Sequence, residues 1–464
     1  MNRLLVSAAH KSSGKTTVCI GLCAALRARG EVIQPFKKGP DYIDPLWLGL
    51  AAARPCYNLD PYLSDPAEIR AEFVRRMRGA SLGLVEGNKG LYDGLDLHGG
   101  NSNAALAAMI GAPVVLVIDA RGMTRGIAPL ILGYQAFDRH VRIAGVILNQ
   151  LGGSRHEAKL RAVIAHYTDV PVLGAVQRDE RMTIVERHLG LVPSNEAEAA
   201  RARVDEIAAL VAAQVDLDHL LEIARAAPPL PGAQTPARDD AAPAGGPPTR
   251  VGIARDAAFG FYYPGDLDAL RDAGADLVPF DTLRDRRLPP MDGLFIGGGF
   301  PESHMDALAA NSQLRADIRT AIDSGLPAYA ECGGLMYLAR GIEWNGRRAE
   351  MVGAIPADIV MHARPIGRGY VHLRETGFSP WPVASAVTRM QPLRAHEFHY
   401  SSVENLPSGT QFAYEVERGH GIDGRHDGIV HRNVLASYAH LRDIAANPWA
   451  RRFVDFIRSC KHAA

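Results

Sequence analysis

Residues 3–17 read RLLVSAAHKSSGKTT, a short apolar run followed by a Gly-Lys-Thr sequence. The apolar run predicts a buried strand, and the residues after it predict a phosphate-binding loop at the start of a helix. Such a loop binds phosphate through its backbone N–H groups and the helix N-terminus. Lys15 would contact the β- and γ-phosphates of a nucleotide, and the Thr16 hydroxyl would bind Mg²⁺. Ala9 departs from the usual motif, which has glycine at that position.

Apolar runs alternate with amphipathic stretches on both sides of this loop and again in the second half of the chain. This alternation is typical of parallel strands connected by helices. In the first half the candidate strands are 3–9, 113–119, 142–148 and 170–176, and the candidate helices are 16–29, 103–110 and 155–166. In the second half they are strands 250–255, 276–280, 293–296 and 327–331 and helices 264–273 and 311–324. We therefore predict two α/β domains.

A segment rich in Pro, Ala and Gly separates the two halves. Residues 226–250 contain no large apolar side chain besides Leu230, so the segment cannot form a core. We predict one domain at 1–225, a linker at 226–249 and a second domain at 250–464. An ordered surface loop is the alternative interpretation of this segment.

The composition is that of an ordinary globular protein. The 464 residues are 47% hydrophobic, and 51 Lys and Arg balance 51 Asp and Glu. No net charge therefore favours nucleic acid or an anionic membrane as a partner. The five cysteines lack zinc-type spacing, and no run approaches the ~20 apolar residues of a membrane-spanning helix. We expect a cytoplasmic protein that binds neither nucleic acid nor membrane.

The segment QPFKKGPDYIDP (34–45) is rich in charge but contains Gly-Pro and Asp-Pro, so we expect a loop that leaves a strand. The side chains of Lys37 and Lys38 can bind phosphate. The carboxylates of Asp41 and Asp44 can coordinate a metal or position a substrate.

A further acid, Glu86, follows another apolar run in VEGNKGLYDG (85–94). A carboxylate at a strand end can hold Mg²⁺ in a phosphoryl-transfer site. Each acid alone is more often a capping or solvated residue. Together with the phosphate-binding loop, these acids predict phosphoryl transfer.

Cys332 lies between a candidate strand and a candidate helix in LPAYAECGGLMYL (326–338). Small residues after a cysteine at such a turn expose the sulfur as a nucleophile. A single cysteine is more often a small buried hydrophobe, but the two glycines disfavour that reading. The glycines of GGGFPE (297–302), Gly298 and Gly299 among them, could offer N–H groups to an oxyanion.

A nucleophilic cysteine needs a base, and histidine is the usual one. His440 is the best candidate, and His396 and His399 compete with it. Spacing alone does not choose among them. The sequence HEFH is too short for the H-E-x-x-H pattern, so we do not expect zinc.

Longer motifs over nearly the whole chain, apart from the linker, resemble the cobyrinic acid a,c-diamide synthase family. In the first half they are FKKGPDYIDP, PCYNLD, VEGNKGLYDG, IDARG, GVILN and RHLGL, and in the second half FGFYYP, GGGFPE, AECGGLMYL, HEFHYS and ASYAHL. The resemblance implies an N-terminal P-loop, parallel-sheet synthetase domain similar to dethiobiotin synthetase. It also implies a C-terminal α/β domain of the class I glutamine amidotransferases.

The resemblance assigns roles to individual residues. It makes Cys332 the nucleophile and His440 its base, and it implies a Cys–His dyad because Arg442 replaces the usual third acid. The implied ATP-binding residues are Ser13, Gly14, Lys15, Thr16, Thr17, Lys37 and Asn149. The implied metal ligands are Thr16, Asp41 and Glu86, and the residues implied near the substrate carboxylate or acyl phosphate are Asp41, Tyr42, Asp44 and Asp93.

The implied reaction uses ATP, with Mg²⁺ as cofactor, to turn a substrate carboxylate into an acyl phosphate, which ammonia from L-glutamine converts to an amide. The implied substrate is a tetrapyrrole dicarboxylate, cobyrinate or hydrogenobyrinate, amidated at its a and c acetate side chains. Trp47 and Lys89 differ from the residues expected in corrin-ring enzymes, and we expect both near the substrate pocket. Together with the Cys56-Tyr57 pair, they leave sirohaem, sirohydrochlorin and Ni-sirohydrochlorin as alternative substrates. A partitioning-type ATPase that forms no amide is a more distant alternative. The oligomeric state is open, with a homodimer among the options.

Overall fold

Val- and Leu-rich strands build a parallel sheet in the first of two compact units, residues 1–237 and 238–464. The computed structural model describes residues 1–184, 186–187, 190–191, 193–194, 199–230, 248–382 and 392–463. Most of the predicted linker, and part of the RHLGL motif, lie outside the described residues. The prediction of two α/β units is confirmed.

The first unit contains a seven-stranded parallel sheet in the order β3-β2-β4-β1-β5-β6-β7. Its strands are β1 (Arg3–Ala8), β2 (Ile33–Lys38), β3 (Tyr57–Leu59), β4 (Leu82–Glu86), β5 (Val114–Asp119), β6 (Ile143–Leu151) and β7 (Val172–Gln177). A separate pair is formed by β8 (Glu186–Arg187) and β9 (Gly190–Leu191). The helices are α1 (Lys15–Ala28), α2 (Ile43–Ala52), α3 (Pro66–Arg76), α4 (Asn103–Ile110), α5 (Ile127–Phe137), α6 (Ser154–Tyr167), α7 (Ala200–Gln214) and α8 (Leu217–Arg225).

The sheet is buried on both faces, as expected for parallel strands covered by helices. In β1, Leu4 and Val6 point into a core shared with α1, α2, α7 and α8. Leu5, between them, points into the opposite core with α3 to α6. Since β1 lies between β4 and β5, the carboxyl ends of β1, β2 and β4 meet at one edge. Ligands of open parallel sheets bind at this edge.

The expectation of a loop at 34–45 is wrong, because 33–38 form β2 and 43–52 form α2. Pro35 is tolerated because β2 pairs with β3 only from Phe36 onward, so its missing N–H costs no bond on that side. Pro45 lies in the first turn of α2, where N–H groups have no helical partner. Neither proline therefore interrupts its element.

Trp47 is also not where the sequence suggested. Its side chain is buried in the core beneath α1 and α2, with 2% exposure, and so does not line an open pocket. Its departure from the corrin-ring enzymes therefore carries little information about the substrate.

The second unit contains a nine-stranded mixed sheet in the order β12-β10-β13-β15-β24-β23-β22-β19-β20. Its strands and those of two smaller sheets are β10 (Thr249–Ala254), β11 (Phe259–Phe261), β12 (Ala275–Phe280), β13 (Gly293–Ile296), β14 (Gly298–Gly299), β15 (Ala328–Glu331), β16 (Gly341–Trp344), β17 (Arg347–Glu350), β18 (Asp358–Met361), β19 (Gly367–Glu375), β20 (Leu393–His399), β21 (Ser401–Glu404), β22 (Gln411–Arg418), β23 (His426–His431) and β24 (Val434–Ser437). The helices are α9 (Pro264–Asp272), α10 (Met305–Ala310), α11 (Ser312–Asp323), α12 (Gly333–Leu338) and α13 (Trp449–Ala463).

The strands β12, β10, β13, β15 and β24 run parallel, and the remaining four are antiparallel. The β15–β24 pair brings two distant segments together, with Glu331 opposite Ser437. Cys332 follows β15 directly, and His440 follows β24 by three residues. Among the described residues, no helix is both long and apolar enough to cross a membrane.

Candidate active sites

The loop between β1 and α1 has the backbone shape of an anion cradle. Ser12 and Gly14 have φ values of 64° and 76°, and Gly14 is the residue that precedes α1. The Asn149 side chain, near the end of β6, donates a hydrogen bond of 2.8 Å to the Ser13 carbonyl. The loop is therefore attached to the sheet, and its N–H groups are held at the start of α1.

Gly14→Ala is expected to weaken ATP binding at least about tenfold (~1.4 kcal/mol), whereas Gly30→Ala should leave it unchanged. Both glycines have positive φ values, 76° and 91°, so alanine costs about 1–3 kcal/mol of stability at each. Only at Gly14 would the new Cβ collide, 2.2 Å from Asn149 Nδ2, since nothing lies within 4 Å at Gly30. Calorimetric ATP titration and thermal unfolding would measure both effects. Equal loss of ATP binding in the two variants would contradict this account of the loop.

Glu86, the last residue of β4, is the centre of a buried charged cluster beside the loop. Its Oε1 atom accepts a hydrogen bond from the Thr16 hydroxyl at 2.6 Å and lies 3.0 Å from Lys37 Nζ and 3.8 Å from Lys15 Nζ. Its Oε2 atom is buried and has no hydrogen-bond partner among the described residues. Asp44 joins the cluster through Lys37 and through the Thr16 hydroxyl at 3.2 Å.

The charges of this cluster stabilise one another. Burial alone would lower the pKa of Lys37, but Asp44 and Glu86 raise it well above its usual value. Burial alone would raise the pKa of Asp44, but Lys37 holds this pKa below its usual value. Burial, and then the neighbouring Asp44, raise the pKa of Asp41 to about 7. Lys37 therefore stays a cation, and Asp44 stays an anion, at neutral pH.

The other predicted residues of this site lie at the starts of α1 and α2 and in the loop after β4. Asp41 accepts a hydrogen bond of 3.0 Å from the Asp44 N–H. Tyr42 directly precedes α2, and Thr17 lies in the first turn of α1. Asp93 accepts a hydrogen bond of 2.8 Å from the Gly90 N–H. Among the described residues, neither a hydrogen bond nor an ion pair connects Asp93 to Glu86 or Lys37. The structure thus gathers most of the predicted set and leaves Asp93 in the following loop.

Cys332 sits in a strained turn between β15 and α12. Its φ and ψ are 48° and −101°, a conformation that non-glycine residues adopt at a cost of about 1–3 kcal/mol. The turn lies too close to the neighbouring strands for larger residues. A Cβ on Gly334 would lie 2.2 Å from the Ile296 carbonyl, and one on Gly333 would lie 2.9 Å from the Gly299 N–H. The cysteine is therefore fixed at the carboxyl end of the parallel strands.

His440 forms a hydrogen bond with Cys332, and its Nδ1 lies 3.4 Å from Glu331 Oε2. Burial would lower the pKa of His440, but the contacts with Cys332 and Glu331 outweigh it and raise the pKa to about 10. The geometry thus pairs a thiol with an imidazole that is readily protonated. This is the arrangement of a thiol nucleophile and its base.

The two competing histidines have other surroundings. His396 stacks on His440, with ring centroids 4.8 Å apart, and its pKa lies well below the usual value because of burial, His440 and Arg442. His399 stacks on Tyr438 at 3.7 Å, and its Nδ1 contacts the Ser401 carbonyl at 2.8 Å. His440 is accordingly the best placed of the three to serve Cys332.

The predicted oxyanion glycines are close to this pair. Gly298 and Gly299 form β14, which pairs with β11. A Cβ on Gly298 would lie 2.8 Å from His440 Cε1, and Gly299 N faces the turn after Cys332. The N–H of the preceding Gly297 already donates to the Tyr262 hydroxyl at 3.0 Å. The backbone of β14 therefore lies beside His440 and beside the turn that follows Cys332.

Sequence reasoning missed Glu331 as a contact of His440. The signal was a carboxylate inside an apolar strand sequence, next to the cysteine, where a charged residue is costly unless it is partnered. The side chain of Glu331 is 4% exposed.

Comparisons with known proteins agree with the two units. A family model described as an AAA domain matches residues 2–184, and one described as a CobB/CobQ-like glutamine amidotransferase domain matches residues 250–447.

Curated relatives match almost the whole chain. A cobyrinate a,c-diamide synthase of Magnetococcus marinus is 48% identical, and the match covers 98% of this chain and 97% of that protein. Proteins of the same name from Archaeoglobus fulgidus and Methanosarcina acetivorans are 41% and 40% identical, over 97% and 98% of this chain and 96% and 95% of theirs. The chain belongs to the cobyrinate a,c-diamide synthase family, whose members are glutamine-dependent amide-forming ligases.

Proposed function

We propose that this chain amidates the a and c acetate side chains of cobyrinate or hydrogenobyrinate, with ATP and L-glutamine as co-substrates. The full-length relatives named cobyrinate a,c-diamide synthase carry this proposal. The two clusters of side chains support it, since one suits phosphoryl transfer and the other suits thiol chemistry. The five free cysteines and the use of ATP support a cytoplasmic location.

In the first step, a substrate carboxylate oxygen attacks the γ-phosphorus of ATP, and ADP leaves. The loop from Ser13 to Thr17, with Lys15 and Lys37, binds the phosphates and offsets the charge that develops on the transferred group. Asn149 helps to recognise the adenine base of ATP. Asp41, Tyr42, Asp44 and Asp93 are proposed to face the substrate carboxylate or the acyl phosphate.

Oxygen atoms suited to Mg²⁺ lie beside the phosphate loop. The Thr16 hydroxyl, Asp41 and Glu86 would hold the ion, and the buried Oε2 of Glu86, which has no hydrogen-bond partner among the described residues, fits this role. The described residues contain no group of three or more His, Cys, Asp and Glu side chains arranged for a metal. Water and nucleotide oxygens would therefore complete the shell. Mg²⁺ supplies charge neutralisation at the phosphates.

In the second step, the thiolate of Cys332 attacks the side-chain amide carbon of glutamine. The N–H groups of Gly298 and Gly299 stabilise the oxyanion, and His440 gives a proton to the departing ammonia. Water then cleaves the thioester and releases glutamate. Ammonia attacks the acyl phosphate, phosphate leaves, and an amide remains.

The alternative substrates and the non-amidating ATPase lose support. The buried position of Trp47 weakens one of the features that favoured sirohaem or sirohydrochlorin. The amide-forming family leaves no place for a partitioning-type ATPase. The predicted linker at 226–249 and a homodimer stay proposals.

A substrate panel tests this proposal directly. Purified protein with ATP, Mg²⁺ and glutamine is incubated in parallel with cobyrinate, hydrogenobyrinate, sirohydrochlorin and Ni-sirohydrochlorin, and the products are identified by mass spectrometry. We expect two amidations of cobyrinate or hydrogenobyrinate and none of the other rings. Preferential amidation of sirohydrochlorin or its nickel form would overturn the assigned substrate.

A further inference from the structure

The carboxylate of Glu331 is held by two donors on one side. Its Oε1 atom accepts hydrogen bonds from the Tyr329 hydroxyl at 2.5 Å and the Leu441 N–H at 3.0 Å. Its Oε2 atom faces His440 Nδ1 at 3.4 Å. Because both donors fix the first oxygen, the second has a defined direction toward the imidazole.

The position that usually carries the third residue, two after the histidine, offers the imidazole no hydrogen-bond acceptor. Arg442, two residues after His440, is a cation with no acceptor atom. Its NH1 lies 3.4 Å from Asp266 Oδ1, and its guanidinium lies 4.4 Å from the centre of the Tyr263 ring. The carboxylate that faces His440 thus comes from β15.

We propose that Glu331 is a positioning residue that completes a Cys332–His440–Glu331 triad for glutamine hydrolysis. The carboxylate accepts the Nδ1–H proton of His440, which leaves Nε2 to exchange a proton with the Cys332 sulfur. It also stabilises the imidazolium that forms when the thiol transfers its proton. This inference rests on the proposed glutaminase reaction.

The placement of Glu331 gives this triad an unusual chain order. Nucleophile and carboxylate are adjacent residues at the end of one strand, whereas the base comes from the segment after β24. Since adjacent residues of an extended strand point to opposite sides, the strained backbone of Cys332 is what brings its sulfur and the Glu331 carboxylate to the same imidazole.

Glu331→Gln tests the proposal with little change of shape. The amide oxygen can still accept from Tyr329 and Leu441, but the NH₂ group would then face His440 Nδ1 and favour the wrong tautomer. We expect kcat for glutamine hydrolysis to fall about 10²–10⁴-fold, with little change in KM. We also expect the reaction of Cys332 with iodoacetamide to shift to higher pH, since the imidazolium loses its anionic partner. A purely structural role would not produce this shift.

Glu397→Gln is the matched control, because Glu397 Oε2 lies 3.7 Å from His399 Nε2 in a second buried Glu–His pair. It should leave the pH dependence of alkylation unchanged. Glu331→Asp keeps the charge and should recover part of the lost rate. Amidation driven by ammonium chloride should be normal in every variant.

The outcomes are distinguished as follows. A wild-type pH profile and rate in Glu331→Gln would overturn the triad, as would equal pH shifts in Glu331→Gln and Glu397→Gln. Should Glu331→Gln fail to fold, the folded fraction of Glu331→Ala takes its place, and a normal rate and alkylation profile in that variant would overturn the triad. A wild-type protein without glutaminase activity would instead overturn the proposed function, and the triad with it.

Discussion

Cys332→Ser is expected to abolish glutamine-dependent amidation, by at least about 10³-fold, and to leave amidation from ammonium chloride intact. Serine keeps the size of the side chain but not the nucleophilicity of a thiolate, and removal of a nucleophile costs several orders of magnitude in enzymes of this kind. Glutamate release and amide formation, assayed separately with each nitrogen source, measure the two effects.

Cys460→Ser is the control for this experiment. Cys460 lies on α13, is partly exposed, and packs at the edge of a hydrophobic core. Its replacement should change neither activity. Retention of glutamine-dependent amidation in Cys332→Ser would show that another group frees the ammonia.

Lys15→Gln is expected to lower amidation about 10²–10³-fold with either nitrogen source and to leave glutamine hydrolysis intact. Lys15 lies at the start of α1 with Nζ 3.8 Å from Glu86, so it can turn toward a bound phosphate. Loss of one charged group that stabilises the transferred phosphoryl costs about this much. The effect is measured as the release of phosphate that occurs only when the tetrapyrrole carboxylic acid is present.

Lys11→Gln provides a matched control, since Lys11 is an exposed lysine of the same loop. It should retain most activity, and an equal loss in both variants would contradict the role given to Lys15. Lys37 is less suitable for this test. Its removal would take the nearest cation from Asp44 and from the fully buried Glu86, which costs about 3–5 kcal/mol of stability.

In the first unit, β1, β5, β6 and β7 were predicted because they are continuous apolar runs, and the phosphate loop was predicted because it has a motif. The prediction failed at β2 and α2, where prolines suggested a loop. Pro35 and Pro45 break neither element, because each occupies a position whose N–H lacks a partner. Such positions depend on the neighbouring strand and helix, and local sequence does not show them.

In the second unit, four of the five parallel strands were predicted, and β24 was not. In the antiparallel strands β19, β20, β22 and β23 the alternation of apolar and polar residues is weak. Cys332 and His440 were found from motifs and resemblance, which also implied a dyad. Glu331 was missed because its partner is 109 residues away in the chain, across the β15–β24 pair. Only that pairing reveals the contact.

The central claim is that ATP activates the substrate carboxylate by phosphoryl transfer before ammonia attacks. Substrate labelled with ¹⁸O in its reacting carboxylate groups tests this claim, with mass spectrometry of the released phosphate. The account predicts one labelled oxygen in phosphate for each amide formed. Unlabelled phosphate, or label recovered in AMP, would contradict it.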